Sequence, residues 1–517
     1  MSMLREEQLE ILDSKIRFHD SHRFEIKLDL SLPEAQRGVY RIETYFFIPR
    51  ALNITPATYK KEDFYNHSQK YIRFKTPQLD LGKLLDPGME ASPLVRIAKN
   101  VSELLAGRRE DGLESRTVDE VKLLGCVARG ALRDYVKHML DDIAAAGEYN
   151  GTRLASVAAG GQDFLADVRA LVERVRGLRS EIGHPALPPR LRDAFAFLDE
   201  FLSLIVEDYL GELLDGVRAR PGVRGALAAV DEAIVALLID QPRYRLAMGY
   251  PSIIQPGGRN ETIIYRRSVL KKFISSVLHL QICVSEWEGV LQFFFGLAAG
   301  IAMLCATAAA VLAQSRYAVN SLPFVSVVVI SYIFKDRIKD WLKLLFSRGI
   351  TRWLADRKVD ILDPVHGARI GSFKEAFSFV SDASIPPDIA HRRRMDNITS
   401  VDEEGKPERV FKYEKEVSID PSRIAQHHTR LRDLNDIMRF SVREFVEQAD
   451  DQETEYLHLD PETRELRNLL CARVYHVNML VKYLIRDTDG QDQISYERIR
   501  IVLNKNGIVR LDEVPVG

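Results

Sequence analysis

The chain has 517 residues, 46% hydrophobic and 28% charged, a globular composition too long for one compact core and consistent with two to four folding units. Its 72 basic and 74 acidic residues leave a net charge of −2, which excludes the basic excess that a nucleic-acid partner demands. Four scattered cysteines (Cys126, Cys283, Cys305 and Cys471) include no CxxC pair, which excludes a disulfide framework and suits a reducing cytosol.

Met1 to Asp20 is charged throughout and holds no apolar core of a cleavable signal, so insertion into a membrane is expected to be directed from within the chain. From Phe24 to Leu32, apolar and polar residues alternate with period two, the pattern of a half-buried strand. Tyr40 to Ile48 repeats it, and the connection Pro33 to Gly38 predicts an antiparallel pair. Residues 1–91 therefore read as a β-rich N-terminal region.

Across residues 92–245 the period becomes 3.6. Ser92 and Pro93 form a helix start, followed by Leu94, Ile97, Val101 and Leu104 on one face. Further helices are predicted near Thr117, Asp163, Pro189 and Gly222, separated by Gly147–Gly161, Gly183–Pro189 and Pro221-Gly222. Five helices, each with one apolar stripe, predict a cytosolic antiparallel bundle. Residues 246–288 supply a loop and a helix from Glu261 expected to run straight into the next segment.

Gly289 to Gln314 carries no charge over 26 positions. About 20 helical residues cross a bilayer core of about 30 Å, so this run predicts a membrane span. A second run, ending at Phe334, counts 16 residues from Val319 and is marginal in length. Pro323 in its first turn and the snorkelling Lys335 and Arg337 favour a span over a re-entrant segment. Residues 289–334 thus read as a two-span transmembrane hairpin. Gly296, Ala299 and Gly300 give its first helix a small-residue face, suited either to packing the two spans together or to self-association.

Lys335 to Lys358 holds eight basic and three acidic residues, against Arg316 alone in the intervening turn. Basic flanks stay cytoplasmic, so both termini are expected in the cytosol, at the plasma (inner) membrane. Residues 335–358 also read as a basic amphipathic helix lying on an anionic inner leaflet. Ile338, Trp341, Leu342, Leu345 and Trp353 form its apolar stripe, and Lys339, Lys343, Arg348 and Arg352 its polar faces.

Residues 359–517 read as a C-terminal α/β region with β-hairpins. It has a polar linker at Asp396–Glu408, a strand at Phe411–Ile419 and a helix at Ser422–Glu447. Strands follow at Arg473–Ile485, Ile494–Leu503 and Ile508–Val514, with a hairpin turn at Asn506-Gly507. The fold class expected is an α+β multidomain integral membrane protein whose terminal strands combine into one sheet.

No phosphate-binding, nucleotide-binding, HExxH or GxSxG motif is present. His19 with His22, and His427-His428 near Asp433, are spaced for ligation but lack a second pair, so neither metal nor cofactor is expected. Asp487, Asp489 and Asp492 depart from a calcium loop and read as an acidic turn. The leading functional expectation is a membrane-tethered cytosolic scaffold or signalling protein without a recognisable catalytic site. The bilayer, a cytosolic protein and further copies of itself would be its partners. The alternatives are an oligomeric pore assembled through the hairpin and a membrane-associated enzyme with an unfamiliar site.

Overall fold

A computed structural model of the chain describes residues 10–32, 38–108, 112–146, 151–285, 288–318, 321–353, 355–395, 408–428, 430–431, 433–486 and 492–516. Much of the polar linker and the acidic turn with Asp487 and Asp489 lie outside the described residues. The chain divides into two compact units, Met1–Arg73 with Leu280–Gly517, and Phe74–His279.

The first unit opens with β1 (Glu10–Asp20), β2 (Arg23–Ser31) and β3 (Gly38–Pro49), then a short helix α1 (Lys61–His67) and β4 (Ser68–Phe74). Among the described residues the second unit is built of helices and their connections. Its elements are α2 (Leu81–Leu85), α3 (Pro93–Leu105), α4 (Leu113–Ala146), α5 (Gly151–Gly177), α6 (Arg179–Ile182), α7 (Pro189–Arg218), α8 (Pro221–Arg224), α9 (Ala228–Ala247) and α10 (Glu261–Ser275).

Apolar stripes bury into one another in this bundle, but α7 also carries buried acids, Asp199 and Glu200. Each is paired. Arg179, Tyr244 and Tyr250 converge on Oδ2 of Asp199 at 3.0, 2.6 and 2.8 Å, and Arg266 reaches Glu200 at 2.6 Å. The fully buried Arg245 donates to Ser203 Oγ, Glu207 and the Ser252 carbonyl. Charge-assisted hydrogen bonds of this kind offset the cost of removing the ions from water.

The chain then returns to the first unit. β5 (Gln281–Ser285) leads into α11 (Glu288–Arg316) and α12 (Leu322–Trp353), and β6 (Arg357–Leu362) follows. Next come β7 (Arg369–Val380), α13 (Pro387–Arg394), β8 (Glu408–Ile419), a helix at Pro421–His427, β9 (Leu434–Ser441) and a helix at Arg443–Glu447. The strands β10 (Glu453–Leu459), β11 (Leu466–Ala472), β12 (Tyr475–Arg486), β13 (Asp492–Asn504) and β14 (Gly507–Glu513) complete it.

Two antiparallel sheets carry the unit, ordered β1-β2-β9-β4 and β14-β13-β12-β3-β8-β7-β6-β5, with β10 and β11 a separate exposed ribbon. Both termini contribute to each sheet. β3 lies between β12 and β8, and β2 pairs with β9. The expected β2–β3 pair is therefore not formed, for a physical reason. β2 alternates and buries one face, whereas β3 is apolar on both and takes a central position. Phe46 stacks toward Phe440 of the smaller sheet, while Tyr45 and Phe47 pack with Ile389 of α13 on the other side. The helix expected over Ser422–Glu447 is corrected as well: its middle is the strand β9. Asp436 of that strand is held by Tyr40 and Lys415 of the facing sheet, a tertiary contact that overrides the helical spacing.

Two polar triads lie between the sheets. Lys70 meets Glu375 at 2.6 Å, and Tyr413 donates to the same carboxylate. Lys415 holds both oxygens of Asp436 at 2.6 and 2.7 Å, and Tyr40 donates to Oδ2 at 2.8 Å.

Candidate membrane anchor and a histidine–aspartate cluster

β5 and β6 are neighbours at one edge of the large sheet, with Ser285 opposite Lys358. The segment between them is an excursion: α11 runs out and α12 returns to the adjacent strand. α11 has 29 residues, about 44 Å of helix, and Gln292–Arg316 within it is long and apolar enough to cross a membrane. Among the described residues one helix meets that standard.

α12 does not, because its charges begin two fifths of the way along. It is one continuous helix of 32 residues, so the expected break between a second span and a separate in-plane helix is absent. The ammonium of Lys343 lies 5.5 Å over the ring of Phe295, which places the basic half of α12 beside the first third of α11. Ile338, Lys339, Leu342 and Lys343 are half-buried, while Trp341 and Leu345 are exposed, so the expected apolar stripe is split between an inner and an outer face. Lys335 stacks over Tyr332 at 3.6 Å, Lys339 pairs with Asp336, and Arg337 is exposed. The side chains of Arg348, Arg352 and Trp353 lie outside the described residues.

The two helices meet through alanine. Ala298, Ala302 and Ala313 are buried, and Ala306 and Ala309 half-buried, on one face of α11. Gly296, Ala299 and Gly300 lie elsewhere. All three are exposed, and a Cβ added to either glycine would meet nothing within 4 Å. The glycine pair therefore does not pack the hairpin together. Around the rest of the surface apolar side chains face outward: Leu304 is 72%, Leu312 68% and Leu322 82% exposed. Arg316 marks the far end, in the turn region.

A second cluster lies in the loop after β6. Asp363 Oδ2 is 2.7 Å from His366 Nδ1 and 2.9 Å from His428 Nε2. Among the described residues it is the one His, Cys, Asp and Glu grouping tight enough to hold a metal ion, its three ligand atoms lying within 4.8 Å of one another. Asp363 is buried, His428 mostly so, and His366 reaches solvent. Burial alone would push the Asp363 carboxyl up, but hydrogen bonds from His366, the Val365 N–H and His428 outweigh it and hold the group below its ordinary value. His428 thus faces Asp363 rather than Asp433, which instead accepts from Ser31 and the Leu32 N–H. His22 meets Ser21, and His19 is exposed. Asp363 and His366 escaped the sequence reading. Their signal was an Asp and a His three apart in a Pro- and Gly-containing turn, DPVHG, which reads first as a plain loop.

Compared with known proteins, the chain matches no family description, no curated protein and no solved structure.

Proposed function

We propose that this protein is a membrane-tethered scaffold: the α11–α12 hairpin fixes two soluble units to the cytoplasmic face of the plasma (inner) membrane. One observation carries the reading. The hairpin leaves and re-enters an edge of a well-buried sheet, yet exposes apolar side chains around α11 and along the first two fifths of α12. Soluble monomers rarely expose a continuous apolar patch beyond a few hundred Å². Hydrocarbon is the solvent that suits it.

In this reading α12 is the shorter span. Its apolar part, Leu322–Phe334, is about 20 Å of helix, and Lys335 and Arg337 snorkel to the headgroups while α11 extends beyond it. The polar turn with Arg316 then contacts the opposite headgroups. The protein is expected to sediment with membranes, resist alkaline carbonate and dissolve in detergent. Recovery in the detergent-free supernatant after high-speed centrifugation would overturn the proposal. Robust hydrolase or transferase activity of the purified protein would remove the scaffold role.

The outward Gly296 and Gly300 support a second reading, in which hairpins associate into an oligomeric pore. Ring-shaped oligomers and ion leakage from liposomes, both lost in Gly300→Leu, would mark that outcome.

A further inference from the structure

The loop closing β6 onto β7 is built more tightly than a connection requires. The Asp363 N–H donates to the Ala368 carbonyl and the Gly367 N–H to the Asp363 carbonyl, both at 2.8 Å. Gly367 sits at φ +63°, which glycine adopts without strain. The Val365 N–H donates to Asp363 Oδ1 at 2.9 Å, leaving Oδ2 turned to the two imidazoles. From the other side, the helix Pro421–His427 is clipped to the start of β7. The Asp420 N–H donates to the Ile370 carbonyl, and Arg423 donates to that of Arg369, both at 2.8 Å. His428 follows that helix, its own N–H bonded to the Ile424 carbonyl. Three donor atoms from segments 65 residues apart are thereby held at one point by hydrogen bonds that do not involve the imidazole rings.

Two imidazoles and one carboxylate form the donor set of many three-ligand zinc sites, with ligands about 2.0–2.2 Å from the metal and a fourth position left to water. In a tetrahedral site such donors stand roughly 3.3 Å apart. The 2.7 and 2.9 Å separations here need to open by about half an ångström, within reach of small side-chain rotations because His366 lies at the surface. The absence of thiolate disfavours copper(I), and nitrogen donors disfavour calcium and magnesium. The Val365 N–H on Oδ1 provides the outer support that orients a ligating carboxylate.

We propose that Asp363, His366 and His428 bind one zinc ion, joining the β6–β7 loop to the end of the helix Pro421–His427, with the fourth position open to solvent beside His366. The test uses the full-length, untagged protein in detergent, loaded with zinc and passed over a chelating resin. About one equivalent should remain by elemental mass spectrometry, and zinc should raise the thermal midpoint where calcium and magnesium do not. His428→Ala and Asp363→Asn should each weaken zinc binding by at least about 100-fold, more than the loss of an outer-shell partner does. His366→Ala, at an exposed loop position, keeps the test decisive if a buried substitution misfolds. The control His19→Ala/His22→Ala should retain zinc fully. Less than a tenth of an equivalent in the native protein would overturn the proposal. So would retention unchanged in His366→Ala and His428→Ala, or loss in the His19/His22 control.

Discussion

Lys70 is an ammonium on the inner face of a sheet, its side chain only 7% exposed. Burial pushes its pKa down to about 8, with the Glu375 carboxylate opposing the shift. Removing one partner of such a pair strands the other in a poor solvent. Glu375→Gln is expected to cost about 3–5 kcal/mol in urea unfolding, whereas Lys70→Met/Glu375→Leu recovers most of that loss. The pH dependence follows from the same group. The unfolded lysine keeps its proton to about 10.5 and the folded one releases it near 8, so between those values the unfolded chain binds more protons and stability rises with pH. Tyr40 and Tyr413 oppose this at higher pH. Burial, then the nearby carboxylates, raises both well above 10, so the unfolded chain ionises first and stability falls above about pH 10. A thermal midpoint that climbs from pH 8 toward 10 and then drops is the expected profile, and Lys70→Met should lose the climb. None of this was legible in the sequence. Strand periodicity shows which face is buried, but not that Lys70 will find a carboxylate some 300 residues away; nor does a visible His427-His428 pair show that His428 will meet Asp363, 65 residues earlier.

At the scale of elements, hydrophobic period and turn chemistry carried most of the reading, and long-range pairing carried the corrections. β2, β3, β12, β13 and β14 stand close to where alternation placed them. The Asn506-Gly507 turn is in place too, with Gly507 at φ +127°. A Cβ there would meet the Ser21 carbonyl oxygen at 2.1 Å, and that oxygen already accepts from the Ile508 N–H. Gly507→Ala should therefore destabilise the protein by at least about 1–3 kcal/mol, read as a lowered urea midpoint. β10 and β11 went unread because neither strand buries a face and neither sets up the in–out contrast by which strands announce themselves. In the hairpin, a small-residue motif drew the eye to glycine while alanine makes the contact. Ala302→Leu overpacks the α11–α12 seam and is expected to cost about 1–3 kcal/mol in detergent-solubilised protein. Gly300→Leu projects into open space and should leave the thermal midpoint unchanged. Equal losses in the two variants would contradict the assignment of the inner face.

For the whole molecule, the two units differ in how the chain builds them. Phe74–His279 is continuous and has its own core, so residues 74–279 expressed alone should give a cooperatively melting helical protein by circular dichroism. The other unit is assembled from both ends of the chain. Deleting residues 1–60 removes β1, β2 and β3, including the strand between β12 and β8, and should abolish hydrogen-exchange protection across residues 410–503. Unchanged protection there would contradict the sheet order. Apolar strands at each end made a joint sheet conceivable from sequence; only the register, Phe47 opposite Asn478 and Val410, specifies it.

That register has a consequence for biogenesis. Phe47 leaves the ribosome roughly 430 residues before Asn478, a delay of some 20–90 seconds at ordinary synthesis rates. Throughout it, β3 has two open edges and two greasy faces, while the helical unit can mature and the apolar hairpin emerges. A nascent chain with that timetable is a natural client for chaperones until the last strands arrive, and truncation near the C-terminus should be punished by aggregation rather than by a mere loss of its final residues.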